Sequence, residues 1–176
     1  FDGKLPLKVR KFAIDITDIE SLNILKNELE VVNPDVKILL NSAGCGKYGK
    51  IGELTSEESS NMIRLNVEAL TAVTELVLPY ISANSRIIQF ASAAAFVPQP
   101  GFAVYAATKS YVLSYSRALA HELKSRNISV TAVCPGSVET EFFDYALNGK
   151  KLPLYKKAGI SQPEVVVKHA ISYSLM

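Results

Sequence analysis

The chain has 176 residues, of which 48% are hydrophobic and 20% are charged. This balance is typical of one folded domain and excludes general disorder. The formal net charge is +2 and there is no dense run of lysine and arginine, so the sequence does not indicate a nucleic-acid partner.

Strand and helix patterns alternate along the first part of the chain. Residues 8–14 predict a short strand, and Thr17 or Asp18 is a suitable N-cap for the helix that follows. Asn33, which precedes a proline, should end that helix. A compact apolar run predicts a second strand over residues 36–40. A loop with four glycines comes next, at positions 44, 46, 49 and 52.

The alternation continues through the rest of the chain. Thr55 and Glu58 have the spacing of a capping box, which predicts a long helix that runs towards residue 78. The remaining expected elements are a strand over 86–91, a loop over 93–102, a helix over 105–124, a strand over 129–133, a mobile flap over 141–160 and a last helix that opens at 161–164.

This order, with strands that are apolar throughout, predicts an α/β fold in which helices cover both faces of a doubly wound parallel sheet. Ligands bind at the carboxyl ends of the strands in such sheets. Polar and turn-forming residues follow the predicted strands at four places, which are Asp15, residues 41–44, Ser92 and residues 135–140. We therefore expect one binding site at this edge of the sheet.

Tyr105 and Lys109 are four residues apart on a predicted helix, which places both side chains on one face. A phenol has an ordinary pKa of about 10, and a fixed ammonium beside it favours the phenolate. The pair can therefore serve as an acid–base device for a hydroxyl or carbonyl group. For an isolated pair, a half-buried ring and a solvated amine are the commoner interpretation.

Ser92 directly follows a predicted strand and stands shortly before Tyr105 in the chain. A short loop between them can bring both hydroxyls to one pocket, where the serine would hold a substrate oxygen. The alternative for a serine at this position is the capping of a turn or helix.

Five segments of the chain stand in a familiar order and spacing. They are Asn41-Ser42-Ala43-Gly44, Asn66, Ser92, Tyr105-Ala106-Ala107-Thr108-Lys109 and Pro135-Gly136-Ser137-Val138-Glu139-Thr140. In this set the chain resembles the short-chain dehydrogenase/reductase family. The resemblance implies a single Rossmann-like domain that transfers a hydride between NAD or NADP and a carbonyl or secondary alcohol.

The resemblance also implies roles for four catalytic residues. Tyr105 would be the general acid in ketone reduction and the general base in alcohol oxidation, and Lys109 would lower its pKa and bind the cofactor ribose. Ser92 would steady the substrate oxygen. Asn66 would hold a water that relays protons towards Lys109, with an exposed helical amide as its alternative.

The cofactor contacts implied by the resemblance lie at the predicted strand ends. Asp15 would meet the adenine amino group, and its alternative is an aspartate at a helix start. Asn41, Ala43 and Gly44 would line the adenosine side. The nicotinamide side would be formed by Tyr105, Lys109, Pro135, Gly136, Val138 and Thr140, the last of which would bond the carboxamide.

The glycine-rich phosphate turn of the family is missing before Asp15. By the resemblance, two strands that belong between the strands over 8–14 and 36–40 are absent, as is a final strand after Met176. We therefore expect residues 1–176 to be a partial domain, incomplete at both ends, and an intact mass near 19.2 kDa would contradict this expectation. The missing part would carry the choice between NAD and NADP, so both stay open.

An apolar substrate is the interpretation favoured by Val97, Phe102, Phe142, Phe143 and Tyr145, which lie in the predicted loop and flap. Two other functions stay open. One is a nicotinamide-sensing or scaffold protein without catalysis, and the other is an epimerase or dehydratase with a similar Tyr–Lys pair.

No metal site is expected, because the two cysteines and two histidines are isolated in the sequence. Both cysteines are expected as buried thiols in a reducing compartment, which favours a cytoplasmic location. No apolar stretch is long enough to predict a membrane-spanning segment. The partners we expect are a small-molecule carbonyl or alcohol and a second copy of the chain, in a homodimer or homotetramer.

Overall fold

The computed structural model describes residues 9–147, 149 and 159–174. Within them, three strands form a parallel sheet in the order β1-β2-β3. The strands are Val36–Asn41 (β1), Ile81–Phe90 (β2) and Ser129–Val133 (β3). Asn41 is paired with Gln89, and Phe90 with Val133, so the carboxyl ends of the strands are level with one another.

Helices connect and flank these strands. None of the helices in the described ranges is both long and apolar enough to cross a bilayer. The helices are Ile19–Val32 (α1), Ser56–Ile63 (α2), Leu70–Val77 (α3), Ala103–Glu122 (α4), Phe142–Leu147 (α5) and Pro163–Ser174 (α6), and a π-helical segment, Arg64–Ala69, joins α2 to α3.

The predicted helix ends are confirmed. The Asp18 side chain accepts a hydrogen bond from the Ser21 amide and caps α1, and Asn33 ends that helix in the left-handed conformation with φ of 43°. Thr55 and Glu58 bond each other's backbone amides, which is the capping box read from their spacing.

Both faces of the sheet are covered, as the doubly wound pattern predicts. On one face, Leu39 and Ile87 are buried in a cluster with Leu29 of α1, Val77 of α3 and Leu119 of α4. Helix α6 packs on the opposite face, where the Ser129 hydroxyl donates to the Ser174 carbonyl at 3.5 Å. The fold is therefore a Rossmann-like α/β domain.

The strand predicted over residues 8–14 is wrong for residues 9–14, which have no regular structure; Lys8 lies outside the described residues. A strand needs a neighbour for its backbone groups, and in the described chain β1 is paired only with β2. Residues 9–14 are held by side chains instead, since Arg10 forms an ion pair with Glu28 of α1.

Two other boundaries also differ from the prediction. Strand β2 begins at Ile81, five residues early, because Ile81 pairs with Val36 across an irregularity in the register. The expected flap over 141–160 contains helix α5, whose Ala146 and Leu147 are buried against the core. Residues 148 and 150–158 of that expected flap lie outside the described residues.

A buried polar network joins the ends of β1 and β2 to α3. The Thr74 hydroxyl accepts from Asn41 Nδ2 at 2.9 Å and from Gln89 Nε2 at 3.1 Å, and it donates to the Leu70 carbonyl at 2.7 Å. Asn41 Nδ2 also donates to Gln89 Oε1 at 3.0 Å. Because Thr74 and Gln89 are fully buried, water cannot replace these bonds.

We expect Thr74→Val to lower the free energy of unfolding by about 1–3 kcal/mol, because it removes the acceptor of the buried Gln89 amide and one of the two acceptors of Asn41 Nδ2. Thr71→Val is the matched control, since the Thr71 hydroxyl is partly exposed and water can replace its contacts with Val67 and Tyr111. Urea denaturation of both variants measures the difference. Equal losses of unfolding free energy in the two variants would contradict the proposal that this network stabilises the fold.

Candidate active site

A cavity of about 310 Å³ lies at the carboxyl ends of the three strands. Residues that follow each strand contribute to its wall, and helix α4 contributes Tyr105 and Lys109. The lining includes Ser42, Gly44, Phe90, Ala91, Ser92, Tyr105, Lys109, Pro135, Gly136, Val138 and Thr140. The sequence-based expectation of one site at this edge of the sheet agrees with this placement.

Lys109 is fixed at the centre of the cavity wall. Its Nζ donates a hydrogen bond to the Phe90 carbonyl at 2.7 Å, and only 5% of the residue is exposed. The same Nζ lies 5.9 Å from the centroid of the Tyr105 ring, on the same side of α4. The alternative of a solvated amine is therefore wrong.

Burial moves the two pKa values in opposite directions. It lowers the pKa of Lys109 to about 8, because the charged amine loses its water. It raises the pKa of Tyr105, and a hydrogen bond with the Ser92 hydroxyl offsets only part of that rise. Desolvation is the largest influence on Tyr105, so its pKa lies above the ordinary value even with the Lys109 amine on the same side of α4. That Lys109 lowers this pKa stays a prediction.

The Ser92 side chain caps a turn, which is one of the two roles that the sequence left open. Its hydroxyl oxygen accepts a bond from the Ala94 amide at 3.1 Å, which caps a short 3₁₀ turn over Ala93–Ala95. The Ala93 amide donates to the Pro135 carbonyl at 2.8 Å and so ties the loops after β2 and β3 together. The Ser92 hydroxyl also lies within reach of Tyr105 and lines the same cavity.

Asn66 is fully buried within the π-helical segment, so the alternative of an exposed helical amide is wrong. Its side chain accepts from the Cys45 amide at 2.9 Å and donates to the Cys45 carbonyl at 2.8 Å and to Thr108 Oγ1 at 3.0 Å. The Thr108 hydroxyl donates to the Tyr105 carbonyl at 2.7 Å. Asn66 therefore joins the loop after β1 to helix α4.

Gly44 allows that loop to approach Lys109 closely. A Cβ at this position would lie 3.1 Å from Asn66 Oδ1 and 3.2 Å from Lys109 Nζ. Those distances are tighter than most contacts of a real Cβ atom, and both groups are buried and held by hydrogen bonds. A side chain at position 44 would therefore disturb the lysine.

A second cleft, of about 230 Å³, lies beside the cavity. Asn41 and Ala43 line this cleft, and Ser42 lines both spaces, so the two are adjacent along the strand ends. The rest of the cleft is mainly apolar and includes Ile16 and Leu40.

Asp15 stands near this cleft but is exposed and not among the residues that line it. Its carboxylate accepts from the Thr17 amide at 2.9 Å and from the Thr17 hydroxyl at 2.7 Å, and these bonds lower the pKa of Asp15. The cap of α1 is Asp18, so Asp15 forms the turn that precedes the cap.

The segment after β3 is held in place by the start of α6. The Ser161 amide donates to the Ser137 carbonyl at 2.9 Å, and the Glu139 amide donates to the Ser161 carbonyl at 3.0 Å. This bridge places Val138 and Thr140 in the cavity wall. It also brings in three residues that the sequence argument missed, Pro163, Val166 and Val167. The sequence signal for these residues is the apolar face of helix α6. A helical pattern alone does not say which part of the protein such a face contacts.

The five apolar residues expected to shape the substrate pocket do not stay together. Phe142 and Phe143 line the cavity, but Phe102 is buried in the core beneath it. Val97 lines a separate surface groove. Tyr145 is 63% exposed, and its ring centroid lies 4.7 Å from the Lys47 ammonium.

Across the described ranges, no three His, Cys, Asp or Glu side chains come close enough to hold a metal ion.

The model of the short chain dehydrogenase family matches residues 3–150. The chain is 30% identical over 138 residues to the 3-oxoacyl-[acyl-carrier-protein] reductase FabG of Thermotoga maritima, which covers 77% of this chain and 56% of that protein. It is 28% identical over 173 residues to an NADP-dependent 3-hydroxy acid dehydrogenase of Schizosaccharomyces pombe, covering 95% of this chain and 67% of that protein.

A solved structure shows the same similarity. The 3-ketoacyl-(acyl-carrier-protein) reductase of Brucella melitensis, complexed with NADH, superposes with a TM-score of 0.78 at 26% identity, over 92% of this chain and 69% of that one. The chain spans a little more than half the length of the first curated relatives that it matches. From the family match and the shared fold, the chain belongs to the short-chain dehydrogenase family.

Proposed function

We propose that the protein is an oxidoreductase that transfers a hydride between NAD(H) or NADP(H) and a carbonyl compound or secondary alcohol. One observation carries the proposal: Tyr105, Lys109 and Ser92 line one cavity at the carboxyl ends of the strands, and all three are buried. A phenol, an amine and a hydroxyl around one cavity are the groups needed to hold a carbonyl oxygen and exchange a proton with it.

The relatives support this chemistry and leave the nucleotide open. The 3-ketoacyl reductase structure from Brucella melitensis contains NADH, and the Schizosaccharomyces pombe relative is named as NADP-dependent. Both are oxidoreductases of 3-oxo or 3-hydroxy compounds by name. We therefore propose NAD or NADP as the cofactor.

The residues present fit such a dinucleotide. Ser42 lines both the mainly apolar cleft and the Tyr105–Lys109 cavity, so a ligand with a flat ring at each end could reach from one space to the other. We assign Asn41, Ala43 and Asp15 to the adenosine side. Pro135, Gly136, Val138 and Thr140 are assigned with Tyr105 and Lys109 to the nicotinamide side. Gly44, expected from the sequence on the adenosine side, lines the Tyr105–Lys109 cavity and not the cleft, so we assign it to the nicotinamide side as well. When bound, the cofactor supplies or accepts the hydride.

Tyr105 is the proposed proton donor when a carbonyl is reduced. A phenol is protonated near neutral pH, so the proton is present when negative charge develops on the substrate oxygen. The Ser92 hydroxyl would donate a hydrogen bond to the same oxygen and hold it beside Tyr105. In alcohol oxidation, the tyrosine oxygen would take the proton back.

Lys109 and Asn66 would support the proton transfer. Lys109, with a pKa of about 8, is charged in most of the molecules at neutral pH, and its Nζ lies 5.9 Å from the centroid of the Tyr105 ring. Asn66 would help a water relay reach Lys109 by fixing the backbone at Cys45 and the helix at Thr108. Lys109 would act from the wall of the same cavity, and Asn66 would act through its bonds to the neighbouring backbone and helix.

We further propose an apolar substrate, a cytoplasmic location and assembly as a homodimer or homotetramer. Phe142, Phe143, Val166 and Val167 give the cavity an apolar side, which supports the substrate class. Cys45 and Cys134 are both free thiols, which is usual in a reducing compartment.

Tyr105→Phe should lower kcat for carbonyl reduction by at least about a hundredfold, because it removes the transferred proton and little else. Nicotinamide binding should change little, and titration calorimetry measures it. Tyr111→Phe is the control, since it removes an exposed hydroxyl from the same helix. Oxidation of NADH and NADPH with a panel of ketones gives the rates.

A Tyr105→Phe variant with full activity would overturn the acid–base assignment. If the protein binds the nicotinamide cofactor but reduces no ketone in the panel, a cofactor-sensing or scaffold role would replace the enzyme.

The Lys109 pKa predicts a pH-dependent stability. Unfolded Lys109 binds its proton up to about pH 10.5, whereas folded Lys109 loses it near pH 8, so the unfolded state holds more protons between these values. Burial of Lys109 therefore destabilises the fold below pH 8, and this penalty shrinks as pH rises. The raised pKa of Tyr105 acts only above about pH 10.

Relative to Lys109→Met, the wild-type free energy of unfolding should rise by on the order of 2 kcal/mol between pH 8 and pH 10. Denaturant unfolding at several pH values measures it, with Lys50→Met as a control at an exposed position. If the difference in unfolding free energy between wild type and Lys109→Met stays constant across this pH range, Lys109 is hydrated in the folded protein.

A further inference from the structure

The backbone at Gly46 touches the rings of both Phe142 and Tyr105. A Cβ at this position would lie 2.5 Å from Phe142 Cζ and 3.1 Å from Tyr105 Cδ2. The first distance is shorter than real Cβ contacts allow, so only glycine fits while Phe142 keeps its place. The loop after β1 therefore holds the Phe142 ring against the tyrosine.

Aromatic rings enclose Tyr105 on two sides. The Phe142 ring lies 5.4 Å from the Tyr105 ring between centroids, and the Phe102 ring lies 5.9 Å away in an edge-on arrangement. Phe102 belongs to the core, so that side is closed. Phe142 forms the side that faces open space.

Phe142 is part of an anchored helix. The far end of α5 is fixed because Ala146 and Leu147 are buried, and the Tyr48 amide donates to the Ala146 carbonyl at 2.8 Å. At its start, the Phe142 amide donates to the Thr140 hydroxyl at 3.4 Å. The ring therefore has a defined position in the cavity wall.

The Phe142 ring separates two spaces. On its inner side is the cavity with Tyr105, Lys109 and Ser92. On its outer side is an open groove of about 660 Å³, which Cys45, Glu141 and Tyr145 also line. A substrate whose carbonyl reaches Tyr105 must fit its substituents around this ring.

We propose that Phe142, held in place by Gly46, is a specificity-determining residue that limits the size of one substituent on the substrate carbonyl. The inference rests on the proposed oxidoreductase function. The substrate class it selects is a carbonyl compound with one small group, such as hydrogen or methyl, on the side of Phe142. A branched group there would overlap the ring.

The test uses protein purified at its native length and three aryl ketones, acetophenone, propiophenone and isobutyrophenone, whose second substituent grows from methyl to isopropyl. Wild type should prefer acetophenone. Phe142→Ala should raise kcat/KM for isobutyrophenone relative to acetophenone by at least about tenfold, which is the usual discrimination of a pocket over one or two carbons. Phe96→Ala, which removes an exposed ring from a separate groove, should leave the ratio unchanged.

Gly46→Ala provides a second variant. The added methyl should displace Phe142 and lower activity even towards acetophenone. The double variant with Phe142→Ala should recover part of this activity, because the contact with Tyr105 Cδ2 at 3.1 Å remains. An unchanged ketone ratio in Phe142→Ala, or a double variant as impaired as Gly46→Ala alone, would overturn the proposal. Thermal melts show whether each variant is folded, and Phe142→Leu replaces Phe142→Ala if the latter is not.

One further measurement does not depend on turnover. Phe142 covers the Tyr105 ring, so Phe142→Ala should lower the Tyr105 pKa in a phenolate absorbance titration from which a Tyr105→Phe curve has been subtracted. An unchanged Tyr105 pKa would show that Phe142 does not cover the tyrosine and would overturn the inference. A wild-type protein that reduces no ketone overturns the proposed function and this inference with it. A wild-type protein that reduces ketones, with variants that keep its selectivity, overturns this inference alone.

Discussion

The hydrogen bond from Lys109 Nζ to the Phe90 carbonyl is the interaction on which the site depends. A buried ammonium needs a partner, and the last carbonyl of the central strand provides one. The bond joins helix α4, which is packed on the core through Val112, Leu113 and Leu119, to the end of the sheet. It thereby brings Tyr105, one turn earlier on the helix, to the cavity that Ser92 lines from the strand side. Strand register and helix position are thus coupled to the geometry of the acid–base pair.

Burial then sets the chemistry of the pair. Removing water favours the neutral form of both groups, which lowers the Lys109 pKa and raises the Tyr105 pKa. Sequence spacing alone suggested a tyrosine that ionises easily because an ammonium is near. The structure instead holds a buried phenol whose pKa is raised by desolvation, in the wall of the cavity.

Local signals gave the most reliable predictions from sequence. Asp18, Asn33 and the Thr55–Glu58 pair act within a few residues, and each ends or begins a helix as predicted. The convergence of Ser92, Tyr105 and Lys109 was also predictable, because the carboxyl ends of parallel strands share one edge.

Features that depend on distant contacts were not predictable in the same way. Residues 9–14 have an apolar pattern but no strand beside them in the described chain. The side chain of Asn66 is bound to Cys45 and Thr108, a partner choice that spacing does not encode. Gly46 looked like an ordinary loop glycine, and its contact with Phe142 joins segments that are far apart in sequence.

The central claim is that Tyr105 and Lys109 share one dry site, and nuclear magnetic resonance tests it most directly. Protein labelled with ¹³C at the tyrosine ζ and lysine ε carbons can be titrated, with Tyr105→Phe and Lys109→Met used to assign the two signals. The account predicts that Lys109 titrates near pH 8 and that Tyr105 titrates above its ordinary value of about 10. Ordinary titration of both groups would contradict it.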